Sequence, residues 1–137
     1  MAKPIFRKID CYLLKASDLG AAVDFYGTQL GLQLLWRNDS AAGFALPESD
    51  AEVVVHTKVG PETDLLVDDV REAYARLLAA GATGLQAPFE IAIGLCAVVK
   101  DPFGNVLTIL DQSKGQLHTD AAKNVIGLKP RAAENTA

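Results

Sequence analysis

His56 and Glu62 are the two residues of this 137-residue chain whose types most readily do chemistry. His56 closes the apolar run Val53-Val54-Val55, and Glu62 follows just past Gly60-Pro61. A partly buried imidazole and carboxylate titrate where proton transfer is useful, so the two can pair as general base and orienter. The plainer alternative is a histidine that hydrogen-bonds at its strand end and anchors a ligand by polarity alone. Cys11 can bind a soft metal as thiolate, although a cysteine in an apolar strand more often fills space as a small core residue. Asp10 faces the opposite way from Cys11 by strand alternation and reads as a solvated edge residue. A one-residue change of register would turn it inward. Trp36, Phe44 and Phe89 are the aromatic candidates for pocket walls, and Arg37 beside Trp36 is a candidate anion clamp. Pockets want apolar walls with a few placed polar groups, while an aromatic on a strand is usually core. His118 is assigned no role.

The elements that must position these residues follow from periodicity. Ile5–Ala16 reads as a strand. Ser17-Asp18 supplies an N-cap for a helix whose stripe is Leu19, Ala22, Val23, Tyr26 and Leu30, and Gly31 stops it. Strand-like runs follow at Leu32–Arg37, Gly43–Leu46 and Glu52–Thr57, separated by turn residues. After the linker Lys58–Pro61 the pattern restarts. Thr63–Val67 is a strand, and Asp68-Asp69 cap a helix with Val70, Ala73, Tyr74, Leu77 and Leu78 on its stripe. Thr83–Gln86 is a short strand. Ala87–Gly94, containing Pro88 and Phe89, reads as a loop that serves as a lid or a subunit contact. The hairpin Cys96–Val99 and Val106–Leu110 closes on Asp101-Pro102-Phe103-Gly104-Asn105, whose residues suit a tight turn. Each half is thus β-α-β-β-β, an internal repeat with matched cap chemistry. From Ser113 a tail begins, expected to be disordered, with one short amphipathic turn over Ala121–Leu128 packing on a neighbour as the alternative.

Composition narrows the classes. Half the residues are hydrophobic, 22% are charged and the net charge is −4, an ordinary globular balance in one domain. No basic stripe offers a footprint for nucleic acid. No apolar run suits a bilayer span, and the N-terminus lacks the apolar core of a signal peptide. Cys11 and Cys96 fit reduced thiols in a cytoplasmic protein. The charge mildly favours a neutral or cationic small molecule.

The repeat, together with FYGTQLGL at the end of the first helix and DPFGNVLTILD at the end of the second half, resembles the vicinal oxygen chelate superfamily (glyoxalases, bleomycin-resistance proteins and ring-cleaving dioxygenases). The resemblance covers about residues 5 to 112. It implies an α+β fold in which two βαβββ modules, 5–57 and 62–112, form a curled mixed sheet around a cleft within one domain (1–112), with 113–137 as a tail. It also implies frequent homodimers. In metal-dependent members the first and last strand of each module supply one ligand each to a divalent ion, which acts as a Lewis acid on two vicinal oxygens.

Counted from the helix caps and the final turn, those four positions fall on Cys11, His56, Glu62 and Thr108. His56 and Glu62 are conventional ligands for Zn, Ni, Mn or Fe, Cys11 is conditional, and Thr108 is a poor ligand. The expected function is therefore binding of a small organic molecule in a cleft with an incomplete metal site, lined by Trp36, Arg37, Phe44, Phe89 and Thr108. The alternatives are a metal-dependent lyase, isomerase or dioxygenase acting through His56 and Glu62, and a non-catalytic oligomerisation or regulatory module.

Overall fold

The computed structural model describes residues 3–130. The chain is α+β and built as two βαβββ modules followed by a hairpin. The first module holds β1 (Lys8–Lys15), α1 (Leu19–Val23), a π-helical continuation over Asp24–Gln29, β2 (Leu34–Arg37), β3 (Ala41–Leu46) and β4 (Ser49–His56). The second holds β5 (Glu62–Leu66), α2 (Val70–Ala79), β6 (Thr83–Ile91), β7 (Gly94–Lys100) and β8 (Val106–Leu110). Strand order is β2-β3-β4-β1 in the first and β6-β7-β8-β5 in the second, so the repeat holds in space as well as in sequence. In each module the first strand lies parallel to the last, β1 to β4 and β5 to β8, and the other pairs are antiparallel.

Both helices start where cap chemistry predicts. Asp18 accepts from the Ala21 N–H at 3.0 Å and Asp69 from the Glu72 N–H at 3.1 Å, each satisfying a donor that the first turn leaves without a carbonyl. Alternation along the strands then sorts each sheet into two faces. In the first module Ala42, Phe44, Val53 and Val55 meet Leu19, Ala22, Val23 and Tyr26 of the helix. In the second, Val67, Ala97 and Ile109 meet Val70 and Ala73, with Leu65, Tyr74, Leu77 and Leu95 packed around them. The opposite, helix-free faces carry Cys11 and Trp36 in the first module and Thr108 in the second.

Asp111, just past β8, is 1% exposed and ties its module together. Its carboxylate accepts from the N–H groups of Val70 (2.9 Å) and Leu95 (2.9 Å) and from both the hydroxyl (2.7 Å) and N–H (3.2 Å) of Ser113. Burial alone would raise its pKa. The donors from Val70, Leu95 and Ser113 outweigh burial and hold it below the ordinary 3.8.

Two expectations are corrected. The segment read as a loop or lid, Ala87–Gly94, is mostly strand: β6 runs to Ile91 and a tight turn leads straight into β7. Pro88 does not break it because β6 is the outer strand of its module and its pairing slips on either side of Gln86, so the missing N–H costs no ladder bond there. The tail, expected to be disordered, instead forms over its described residues the hairpin β9 (Gln116–Thr119) and β10 (Val125–Lys129), while residues 131–137 lie outside those described. Its turn, Asp120-Ala121-Ala122-Lys123-Asn124, repeats the hydrogen bonding of Asp101–Asn105. In both, the aspartate Oδ1 accepts from the residues two and four places on, at 2.8–2.9 Å, and the asparagine side chain returns to Oδ2. Lys123, at φ +71°, takes the left-handed place that Gly104 holds at +94°. The signal was hidden because lysine is not a turn residue by type.

Among the described residues, no helix is long and apolar enough to cross a membrane.

Candidate functional site

The helix-free face of the first module is built by register. Cys11 stands opposite Glu52 across β1 and β4, Leu13 opposite Val54, and Lys15 opposite His56. Across β4 and β3, Val54 meets Gly43 and His56 meets Ala41. Cys11, Leu13, Ala41 and Val54 form a buried patch against which Trp36 packs.

Trp36 reaches this face through an irregularity. Leu34 pairs with Phe44 while Trp36 pairs with the next residue, Gly43, so Leu35 is an extra residue in β2. In a regular strand, residues 34 and 36 point the same way. The bulge turns Leu34 to the helix side and Trp36 to the other. The indole then lies over Gly43. An ideal Cβ on Gly43 would stand 2.5 Å from the Trp36 Cε2 and 2.6 Å from the Glu52 Oε1, so only glycine fits beneath the ring. Trp36 Nε1 donates to Glu52 Oε1 at 2.7 Å, a short charge-assisted bond. Trp36, Glu52 and Gly43 thus form one preset unit, with Cys11 beside the carboxylate.

Phe44, expected as a pocket wall, is fully buried on the helix side, its ring centroid 6.1 Å from that of Tyr26. It is core, because it shares strand parity with Ala42 rather than with Gly43. Arg37 follows Trp36 and lines a different feature, a depression of about 680 Å³ shared with Leu19, Asn38, Asp39, Asn124 and Val125. Its backbone N–H donates to the Lys123 carbonyl at 2.9 Å.

His56 lies four residues beyond Glu52 on β4, about 13 Å along the strand at ~3.3 Å per residue, and so away from Cys11. Its Nδ1 accepts from the N–H groups of Lys58 (3.0 Å) and Val59 (3.3 Å). Backbone N–H groups only donate, so Nδ1 is an acceptor and the neutral ring carries its proton on Nε2. Burial, followed by the charge of Lys58, lowers its pKa below 6.5, and Glu62 opposes that shift. Glu62 therefore acts on the ring by charge. The backbone of the following turn, not Glu62, orients it.

In the second module Thr108 stands opposite Asp64 on β5 and opposite Val98 on β7. Thr108 and Asp64 are buried, 7% and 6% exposed. Phe89 pairs with Cys96, which shares parity with Val98 and Thr108, so Phe89 lies on the helix-free side of its module, part exposed.

The pairing register shifts two of the expected positions, in opposite directions along their strands. The register sets Glu52 beside Cys11, where His56 was expected, and Asp64 beside Thr108, where Glu62 was expected. Strand parity was legible, since Glu52 and His56, like Glu62 and Asp64, share a face. The parallel register that selects among them is a property of pairing. His56 offers a divalent ion no free lone pair, since its Nδ1 accepts from two N–H groups and its Nε2 carries the proton, and Thr108 is a neutral hydroxyl and a poor ligand. Among the described residues, no three His, Cys, Asp or Glu side chains converge to hold a metal.

Paired βαβββ modules, each with a helix on one sheet face and a preset polar unit or buried polar pair on the other, define the class. The chain belongs to the glyoxalase-like domain family, whose model matches residues 11–110, and through it to the vicinal oxygen chelate superfamily. No curated protein gives a significant match. Similar solved structures include an NAD-dependent benzaldehyde dehydrogenase from Legionella pneumophila (18% identity, 74% of this chain and 97% of that chain, TM-score 0.63). A methylmalonyl-CoA epimerase from Mycobacterium tuberculosis is 20% identical over 81% of this chain and 91% of that chain, with TM-score 0.61. The 2,3-dioxygenase LapB from Pseudomonas sp. KL28 is 15% identical over 90% of this chain and 47% of its own, with TM-score 0.60. At these identities the likeness is one of fold.

Proposed function

We propose that the protein binds a small amphipathic organic molecule, without a metal, on the helix-free face of its first module. The observation that carries this reading is the Trp36–Glu52 hydrogen bond laid over Gly43. The indole offers a flat apolar platform and the carboxylate a fixed acceptor, while Leu13, Val54 and Ala41 form the dry floor. An acceptor-only anchor in a chain of net charge −4 suits a neutral or cationic ligand carrying an N–H or O–H donor. Both cysteines are buried and neither is in a disulfide, which accords with a reducing, cytoplasmic setting. A metal-dependent lyase, isomerase or dioxygenase is less well supported, because among the described residues no three His, Cys, Asp or Glu side chains converge.

Trp36 is the single tryptophan, so its emission reports this face alone. The test is a thermal-shift screen of planar aromatics bearing an amine, amide or alcohol, with hits titrated against Trp36 fluorescence with and without EDTA. The expected result is saturable binding indifferent to EDTA and weakened about 10-fold or more in Glu52→Gln, equal to about 1.4 kcal/mol. Binding abolished by EDTA and restored by Zn, Ni, Mn or Fe would overturn the proposal, as would a panel with no hit that perturbs Trp36.

A further inference from the structure

The last strand, β10, is a free edge. It pairs with β9 in a two-stranded ribbon, and among the described residues no third strand joins them beyond one bridge between Arg37 and Asn124. Two-stranded ribbons are marginal in water by themselves. This one also exposes Ile126 (59%) and Leu128 (43%), both on one face by alternation.

The outer strands of the two modules, β6 and β2, are protected. On β6, Pro88 and two slips of register disrupt a continuous row of donors. The end of β2 is covered by the turn at Lys123, which accepts the Arg37 N–H. The edge of β10 has no proline and its sequence is Val125-Ile126-Gly127-Leu128-Lys129. Unprotected edges of this kind pair with another strand.

The sequence of β10 selects its partner. Set antiparallel against a second β10 with Gly127 on the twofold axis, Ile126 falls opposite Leu128 and Val125 opposite Lys129. The four apolar side chains then share one face, Gly127 leaves the axis clear, and no lysine faces a lysine. Directly opposed like charges would oppose such pairing, and this register avoids them while matching apolar to apolar. A strand that complements its own reverse is what a twofold, isologous contact requires. We propose that β10 pairs antiparallel with β10 of a second copy of this chain, joining two ribbons into a four-stranded sheet.

The contact is small, so dimerisation should depend on concentration. Two single variants, Ile126→Cys and Leu128→Cys, test the register. Directly opposed residues lie within about 5.5 Å between Cα atoms, a span that a disulfide bridges. Two copies of the same variant hold their thiols about two residues out of step, roughly 8 Å apart and beyond that span. The native Cys11 and Cys96 are buried, outside any disulfide and shielded from the oxidant. Under mild oxidation, an equimolar mixture should therefore cross-link several-fold more than either variant alone. Sedimentation of the unmodified chain should show a monomer–dimer equilibrium that Ile126→Lys with Leu128→Lys abolishes at unchanged circular dichroism. A chain monomeric at all concentrations overturns the proposal, as does cross-linking in the mixture no greater than in the single variants. Neither outcome bears on ligand binding at Trp36.

Discussion

Replacing Gly43 with alanine tests the central feature of the candidate site with one methyl group. The added Cβ would stand 2.5 Å from the Trp36 Cε2 and 2.6 Å from the Glu52 Oε1, far inside van der Waals contact. The strand cannot yield, because Gly43 is paired on both sides, with Trp36 of β2 and Val54 of β4. The indole must therefore swing away and give up its 2.7 Å bond to Glu52. A hydrogen bond to a charged group contributes about 1.5–3 kcal/mol net, and keeping the ring in place would instead cost about 1–3 kcal/mol in overpacking. Because Trp36 and Glu52 are only half-buried, the low end applies, about 1.5 kcal/mol. At about 4 °C per kcal/mol for a domain of this size, Tm should fall by about 6 °C. Emission of the single tryptophan should move to longer wavelength as Nε1 becomes solvated. Gly20→Ala is the matched control, since the added Cβ would meet the Asp18 Oδ1 at 3.6 Å, an ordinary contact, and alanine favours helix. If Gly43→Ala leaves both Tm and emission unchanged, the preset Trp36–Glu52 unit is refuted.

Three further outcomes are expected. Asp111→Ala should cost about 3 kcal/mol in urea unfolding, because the Val70, Leu95 and Ser113 donors lose their shared acceptor. With its folded pKa below 3.8, the native carboxylate contributes fully above that value and loses its contribution as pH falls through the folded pKa, a loss absent from the variant. His56 also has a lowered pKa, so stability that depends on the neutral ring is fully present above 6.5 and declines as pH falls through the folded value; His56→Ala should flatten urea midpoints across that interval. Lys123→Gly should raise stability by about 0.5–1 kcal/mol by differential scanning calorimetry, since a left-handed non-glycine residue costs about 1–2 kcal/mol and glycine returns part of that as chain entropy.

What was legible in the sequence was local. Asp18 and Asp69 cap their helices, and the Asp101–Asn105 turn closes its hairpin, because each interaction spans five residues or fewer. What escaped depends on partners distant in sequence. Trp36 and Phe44 both read as strand aromatics, yet one faces the helix and the other does not, and only the extra residue in β2 separates them. Glu52 was passed over for His56 because parity allows both, while the parallel pairing of β1 with β4 selects Glu52. Pro88 signalled a loop, and its toleration follows from an edge position that the sequence does not declare. The second hairpin was missed because alanines and a lysine occupy places where proline and glycine announced the first.

The bulge at Leu35 makes the pairing of β2 with β3, rather than the composition of β2, the setting that aims Trp36. In a regular ladder of the same length Trp36 would stand opposite Ala42 and return to the side of Leu34, leaving Glu52 without its donor. Deleting Leu35 would instead leave Trp36 opposite Gly43, with the indole on its present side. The candidate face is thus indifferent to the loss of one residue from this outer strand and sensitive to a slip of one residue in its register.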